Sequence, residues 1–194
     1  MEKANTNINN QPVLDLKYKI SEEEYVYYNE LYAKDTFKKK KTKTTFVGIL
    51  ELLTGIGIIL YVILSNIANK EFVVILCSVL IGLGIYSISF YNFIFPNSLK
   101  KAAKEQYYKN KYLQSEINMQ FYNNRLEEHI GEMENVYKWN SIESFAKSEK
   151  LYFITIQNKR SILIPISGIG EDKYMLDEFF QTLSKKYDKP FKTW

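Results

Sequence analysis

Residues 44–64 read TTFVGILELLTGIGIILYVIL, and residues 72–95 read FVVILCSVLIGLGIYSISFYNFIF. At a rise of about 1.5 Å per residue these runs would make helices of roughly 31 and 36 Å. A bilayer core is about 30 Å thick. One such run can be the buried helix of a soluble protein, but two in tandem, each nearly free of charge, argue against that. The short connection, residues 65–71, makes the two helices antiparallel neighbours, so the expected element is a transmembrane hairpin. Lys38, Lys39, Lys40, Lys41 and Lys43 precede it, and Lys100, Lys101 and Lys104 follow it. Basic flanks stay on the cytoplasmic side. The expectation is a multi-pass protein of the cell membrane with both termini cytoplasmic and the lipid bilayer as its first partner. Lys70 and Glu71 cancel in the connection. Tyr61 and Phe72 stand near one interface, with Tyr91, Phe93 and Phe95 near the other.

Glu51 interrupts the first run. A carboxylate about two turns inside a membrane helix is costly. Gly48 and Gly55 lie three residues before it and four after it, on the same helix face, and small residues there allow close approach of a neighbouring backbone. The second run returns to this depth near Ser87, Ser89 and Asn92. Gly48, Glu51 and Gly55 are therefore candidate helix-packing residues, with Glu51 hydrogen-bonded to the second helix or to a partner helix. An ion or proton site is the other reading of Glu51.

Upstream, residues 1–12 are polar and asparagine-rich, the composition of a disordered tail. They do not form the pattern of a cleaved signal peptide, so the first apolar run is expected to act as the insertion signal. Residues 13–43 read as a cytoplasmic strand and helix. Val13, Leu14, Leu16, Tyr18 and Ile20 alternate with Asp15, Lys17 and Lys19 as in a half-buried strand. Ser21 and Glu24 form a capping box, opening a helix through Tyr25, Tyr28, Leu31 and Tyr32. The strand needs a sheet to join.

Downstream, Pro96 is expected to end the second membrane helix, with Asn97 or Ser98 capping a basic helix to about Leu113. Lys100, Lys101 and Lys104 on that helix are candidate headgroup or partner contacts. The period then changes to two. Strands are expected over residues 117–121, 126–130, 136–139, 142–147, 151–157 and 161–166, with hairpin turns at Asn123–Asn124 and Asn158–Lys159. Leu176, Phe179, Phe180, Leu183 and Tyr187 recur at helical spacing and should lie on the sheet. The fold class is α+β: a two-helix transmembrane hairpin with a C-terminal cytoplasmic antiparallel β domain, residues 96–194, closed by an amphipathic helix.

The chain has 194 residues and a formal charge of +4. Its one cysteine, Cys77, excludes an internal disulfide and reads as a small apolar packing residue. One histidine, His129, removes the usual histidine-based catalytic and metal sets. Glu127–Glu128 and Glu132–Glu134 read as a solvated strand face, Trp139 as core, and Pro165 as a strand end. No nucleotide loop or nucleophile-base pair is visible. The expectation is a protein that is not an enzyme, takes no cofactor, metal or nucleic acid, and has a protein partner, with homo-oligomerisation open. Lys159 and Arg160 form a compact basic pair, the second candidate headgroup or partner contact.

Several segments carry a family resemblance: Ile20-Ser21-Glu22-Glu23-Glu24-Tyr25, Trp139-Asn140-Ser141-Ile142, Leu151-Tyr152-Phe153-Ile154, Ile162-Leu163-Ile164-Pro165 and the Leu176–Leu183 helix. The layout from about residue 14 resembles the YcxB-like family of bacterial membrane proteins. The resemblance implies a small C-terminal domain like a pleckstrin-homology module and no defined activity. Such domains often carry a basic residue after the Ile-Pro, where this chain has Ile166 and Ser167. The function expected is a membrane-anchored binding or regulatory module recognising protein or lipid. Alternatives are a bacteriocin or toxin immunity protein, and a small subunit of a larger membrane complex.

Overall fold

The computed structural model describes residues 11–65, 70–157 and 160–194. Most of the expected tail, residues 66–69 of the hairpin connection and the Asn158–Lys159 turn lie outside the described residues. The chain is α+β, with two long apolar helices and a C-terminal antiparallel sheet domain. It divides into two compact units: one comprises Asn29–Ala103, the other the residues up to Tyr28 together with Lys104–Trp194.

The β unit begins with β1 (Leu14–Lys19), whose alternation of buried and exposed residues follows the apolar pattern. It pairs antiparallel with β2 (Glu116–Phe121), the sheet partner that the pattern required. β3 (Arg125–Ile130) and β4 (Met133–Lys138) complete a sheet of order β1-β2-β3-β4. Gly131, with φ +58°, supplies the left-handed residue of the β3–β4 turn. A second sheet, order β7-β6-β5-β8, holds β5 (Ile142–Lys147), β6 (Leu151–Ile156), β7 (Arg160–Pro165) and β8 (Phe191–Thr193). β8 runs parallel to β5, an exception in an otherwise antiparallel domain. It is too short to show a period in sequence.

α5 (Asp172–Tyr187) turns Leu176, Phe180 and Leu183 inward. Phe121, Trp139, Phe145, Tyr152 and Phe180 interlock at the centre with ring centroids 5.0–6.5 Å apart. Trp139 is core, as expected, although the strand before it is largely exposed, and its indole N–H donates to the Tyr122 carbonyl at 2.9 Å.

The long helix α1 (Glu22–Leu64) opens on the expected capping box. The Glu24 backbone N–H donates to Ser21 Oγ at 3.2 Å, and the Ser21 N–H donates back to Glu24 Oε2 at 2.9 Å. In the helical unit, α1 packs on α2 (Lys70–Ser89) where both backbones lack side chains. A Cβ on Gly48 would lie 2.8 Å from the Gly84 carbonyl oxygen, and one on Gly84 2.7 Å from the Gly48 oxygen. The most apolar windows of the two long helices are only 17% and 11% buried, so neither is the enclosed core helix of a soluble domain.

Pro96 does not end the second helix, contrary to the sequence expectation. A π-helical turn, Phe90–Ile94, joins α2 to α3 (Phe95–Lys109), and Asn97 and Ser98 lie inside α3 rather than capping it. Proline breaks a helix by losing its N–H and by clashing with the carbonyl four residues back. The wider turn shifts that register. The Phe95 N–H bonds to the Phe90 carbonyl, and the Asn92 side-chain amide donates to the Ile88 carbonyl at 2.7 Å.

Candidate functional site

The side chain that stands out in the β unit is Glu128. It sits on β3 between Leu126 and Ile130, on the face that strand alternation turns toward the core, and it is fully buried. The reading of Glu128 as part of a solvated face is therefore wrong. A buried carboxylate persists only if it is paired and hydrogen-bonded. Asn135, directly opposite on β4, donates from Nδ2 to Glu128 Oε2 at 3.1 Å, and the Tyr137 hydroxyl donates to the same oxygen at 3.2 Å. The Tyr112 hydroxyl donates to Oε1 from α4 (Lys111–Gln114), a single turn capped by Asn110. Arg160, the first residue of β7, donates from Nη2 to Oε2 at 2.8 Å and from Nη1 to the Tyr137 oxygen at 2.6 Å. Its guanidinium lies 5.2 and 5.7 Å from the Tyr112 and Tyr137 ring centres, within cation–π range.

The electrostatics follow from burial beside a carboxylate. Burial, then the Glu128 charge, pushes the Tyr137 phenol up to about 12 and the Tyr112 phenol higher still. Burial alone would pull the Arg160 guanidinium down, but its bond to Tyr112 and the Glu128 charge hold it up. Tyr18, buried nearby on β1, is raised well above the usual phenol range, chiefly by burial. Its hydroxyl has no hydrogen-bond partner among the described residues. The cluster is thus one anion, one cation and neutral phenols, tying the two sheets together.

Beside this network opens a cleft of about 580 Å³. Ile20, just before α1, and Tyr25 and Tyr28 from its first turns line the cleft together with Leu113, Met133 and Leu163. Tyr112, Asn135, Arg160 and Ser161 bring polar groups to the same space. An apolar, aromatic wall with a few placed polar groups is the usual composition of a binding pocket. The Glu128 carboxylate is bonded on both oxygens and closed to solvent, which suits it to positioning Arg160 rather than to proton transfer.

The residues singled out from sequence fall in different places. Lys104 pairs with Glu22 at 2.8 Å, and Tyr108 donates to the same carboxylate at 2.5 Å. That bonding holds Glu22 below, and Tyr108 above, their usual ranges. Lys100 pairs with Glu30 at 3.1 Å, and Lys101 is exposed. Lys159 lies outside the described residues. Arg160 is engaged with Glu128 rather than presented alone as a headgroup contact. In the helical unit, Gly48 and Gly55 face α2, and the Ser87 hydroxyl donates to Glu51 Oε2 at 3.4 Å, a long bond.

His129 does gain company in the fold. One ligand atom each of Glu127, His129 and Glu134 lies within 4.8 Å of the others on the solvent face of β3 and β4. Glu127 is already held by Arg125 at 2.5 Å, and Arg125 keeps its carboxyl below the usual range despite burial. A cation there would have to displace that pair. Sequence reasoning missed Glu128, Tyr112, Asn135 and Tyr137; the one available signal was that Glu128 shares strand parity with Leu126 and Ile130. No family model, curated protein or solved structure matches the chain.

Proposed function

We propose that this chain is a non-enzymatic, membrane-anchored binding module that receives a protein segment in the cleft beside Arg160. The cleft is the observation that carries the reading: about 580 Å³, walled by tyrosines and aliphatic side chains. The two long, apolar, largely unburied helices between lysine clusters support a two-span anchor with both termini in the cytoplasm. The YcxB-like family and a pleckstrin-homology-like β unit remain part of this reading on the sequence resemblance alone. Protein is favoured over lipid because Arg160, the cation among the described cleft-lining residues, is neutralised by Glu128. An anionic headgroup would meet no net positive charge there.

The test places a photo-crosslinking amino acid at Met133, which lines the cleft and is 56% exposed. In native membranes the expected product is a discrete protein adduct that disappears when Leu163→Trp fills the cleft. Adducts to lipid alone would transfer the reading to a lipid ligand. An adduct pattern unchanged by Leu163→Trp would remove the cleft as the site.

A further inference from the structure

Four strands end the two sheets, and they are not equally open. β8 has three residues, β7 closes on Pro165, and β1 carries Lys17 and Lys19 on its exposed face and packs near β7. β4 is different. Its six residues, Met133–Lys138, contain no proline, and beyond its ladder with β3 its backbone bonds to no other backbone among the described residues, the Lys138 carbonyl at its end accepting from the Ser141 hydroxyl at 2.7 Å. Val136 is 53% exposed on its solvent face. An unpaired edge is a template for another strand unless charge or shape prevents it.

The solvent face of β4 reads Glu134, Val136, Lys138: one acid and one base equally spaced about a valine. Antiparallel pairing with a second copy, about a two-fold axis at Val136, sets valine against valine. The same register places Glu134 of each copy opposite Lys138 of the other. On the opposite face, Asn135 of one meets Tyr137 of the other. Neighbouring registers lose this match. An axis at Asn135 sets Glu134 against Val136; an axis at Tyr137 sets Lys138 against Val136; an axis at Glu134 opposes two acids. Opposite charges directly across an antiparallel pair stabilise it and like charges oppose it. A surface that complements itself about a two-fold axis is what a symmetric dimer requires.

We propose that two copies of this chain join edge to edge through β4 in the Val136-centred register, merging their two four-stranded sheets into one. The occupant of the open edge is a second copy, and the proposal is independent of what fills the cleft.

The test uses the full chain in native membranes, with Cys77→Ala removing the only cysteine and Val136→Cys adding one. Directly opposed residues across an antiparallel pair have Cα atoms about 4.5–5.5 Å apart, within disulfide reach. Mild oxidation should give a disulfide-linked dimer. Adding Glu134→Lys or Lys138→Glu alone opposes like charges and should lower the yield several-fold. The double variant exchanges the charges and should restore it, which simple misfolding would not do. A Lys17→Cys chain, on the other outer edge of the sheet, should give background only. No dimer at Val136→Cys, yields indifferent to the single swaps, no rescue by the double, or equal yield at Lys17→Cys would each overturn the proposal.

Discussion

Glu128 carries the account at the scale of single residues. Its burial among apolar neighbours demands the four donors that surround it, and the three titratable ones, Tyr112, Tyr137 and Arg160, have their ionisation shifted upward. Tyr137 has its phenol raised from 10.0 to about 12. A raised folded-state value means the folded chain holds its proton more tightly than the unfolded chain. The contribution of this phenol to stability is therefore complete below pH 10 and is lost as pH rises toward 12. Melting the detergent-solubilised chain across that range should show a decline that Tyr137→Phe blunts, while lysine titration affects both proteins alike. The variant should begin lower by about 1.5 kcal/mol, the smaller cost of losing a hydrogen bond to a charged group. A Tyr137→Phe chain with an unchanged decline would separate this phenol from the alkaline loss. Glu128 could be located from sequence by strand parity, but its partners could not. Tyr112 and Arg160 reach it from elements distant in the chain, and local periodicity does not encode such meetings.

Among the elements, the two long apolar helices were legible because hydrophobic runs of that length have few alternatives, β1, β2 and β3 because buried positions alternate by two, and β6 and β7 as short apolar runs between turn residues. Pro96 misled because the rule that proline stops a helix is local. Two features absorb the proline, the π turn Phe90–Ile94 and the Asn92 amide bonded to Ile88, and no periodicity announces either. β8 escaped because three residues show no alternation, and its pairing depends on where α5 returns the chain. The glycines of the hairpin separate cleanly by environment. Gly84→Leu would drive a side chain into the Gly48 carbonyl and Leu52, whereas a Cβ on Gly82 meets nothing within 4 Å. Gly84→Leu should cost about 1–3 kcal/mol, as overpacking does, visible as a lower melting temperature. Gly82→Leu should melt like the parent. Equal effects at both positions would mean that this glycine contact does not hold the helices together.

For the whole molecule, a β unit and an apolar helical unit share one chain, and lysine clusters stand on either side of the apolar runs, the pattern on which the proposed orientation rests. The central claim is that the two apolar helices cross a membrane and return, leaving both ends of the chain on the cytoplasmic side. Cysteine accessibility in intact cells tests it most directly. With Cys77→Ala as background, single cysteines replace Glu71, at the start of α2, and Lys189, after α5, and an impermeant maleimide is applied from outside. The account predicts labelling of Glu71→Cys in intact cells and of Lys189→Cys only after the membrane is opened. Labelling of Lys189→Cys in intact cells, or recovery of the chain in the soluble fraction, would contradict it.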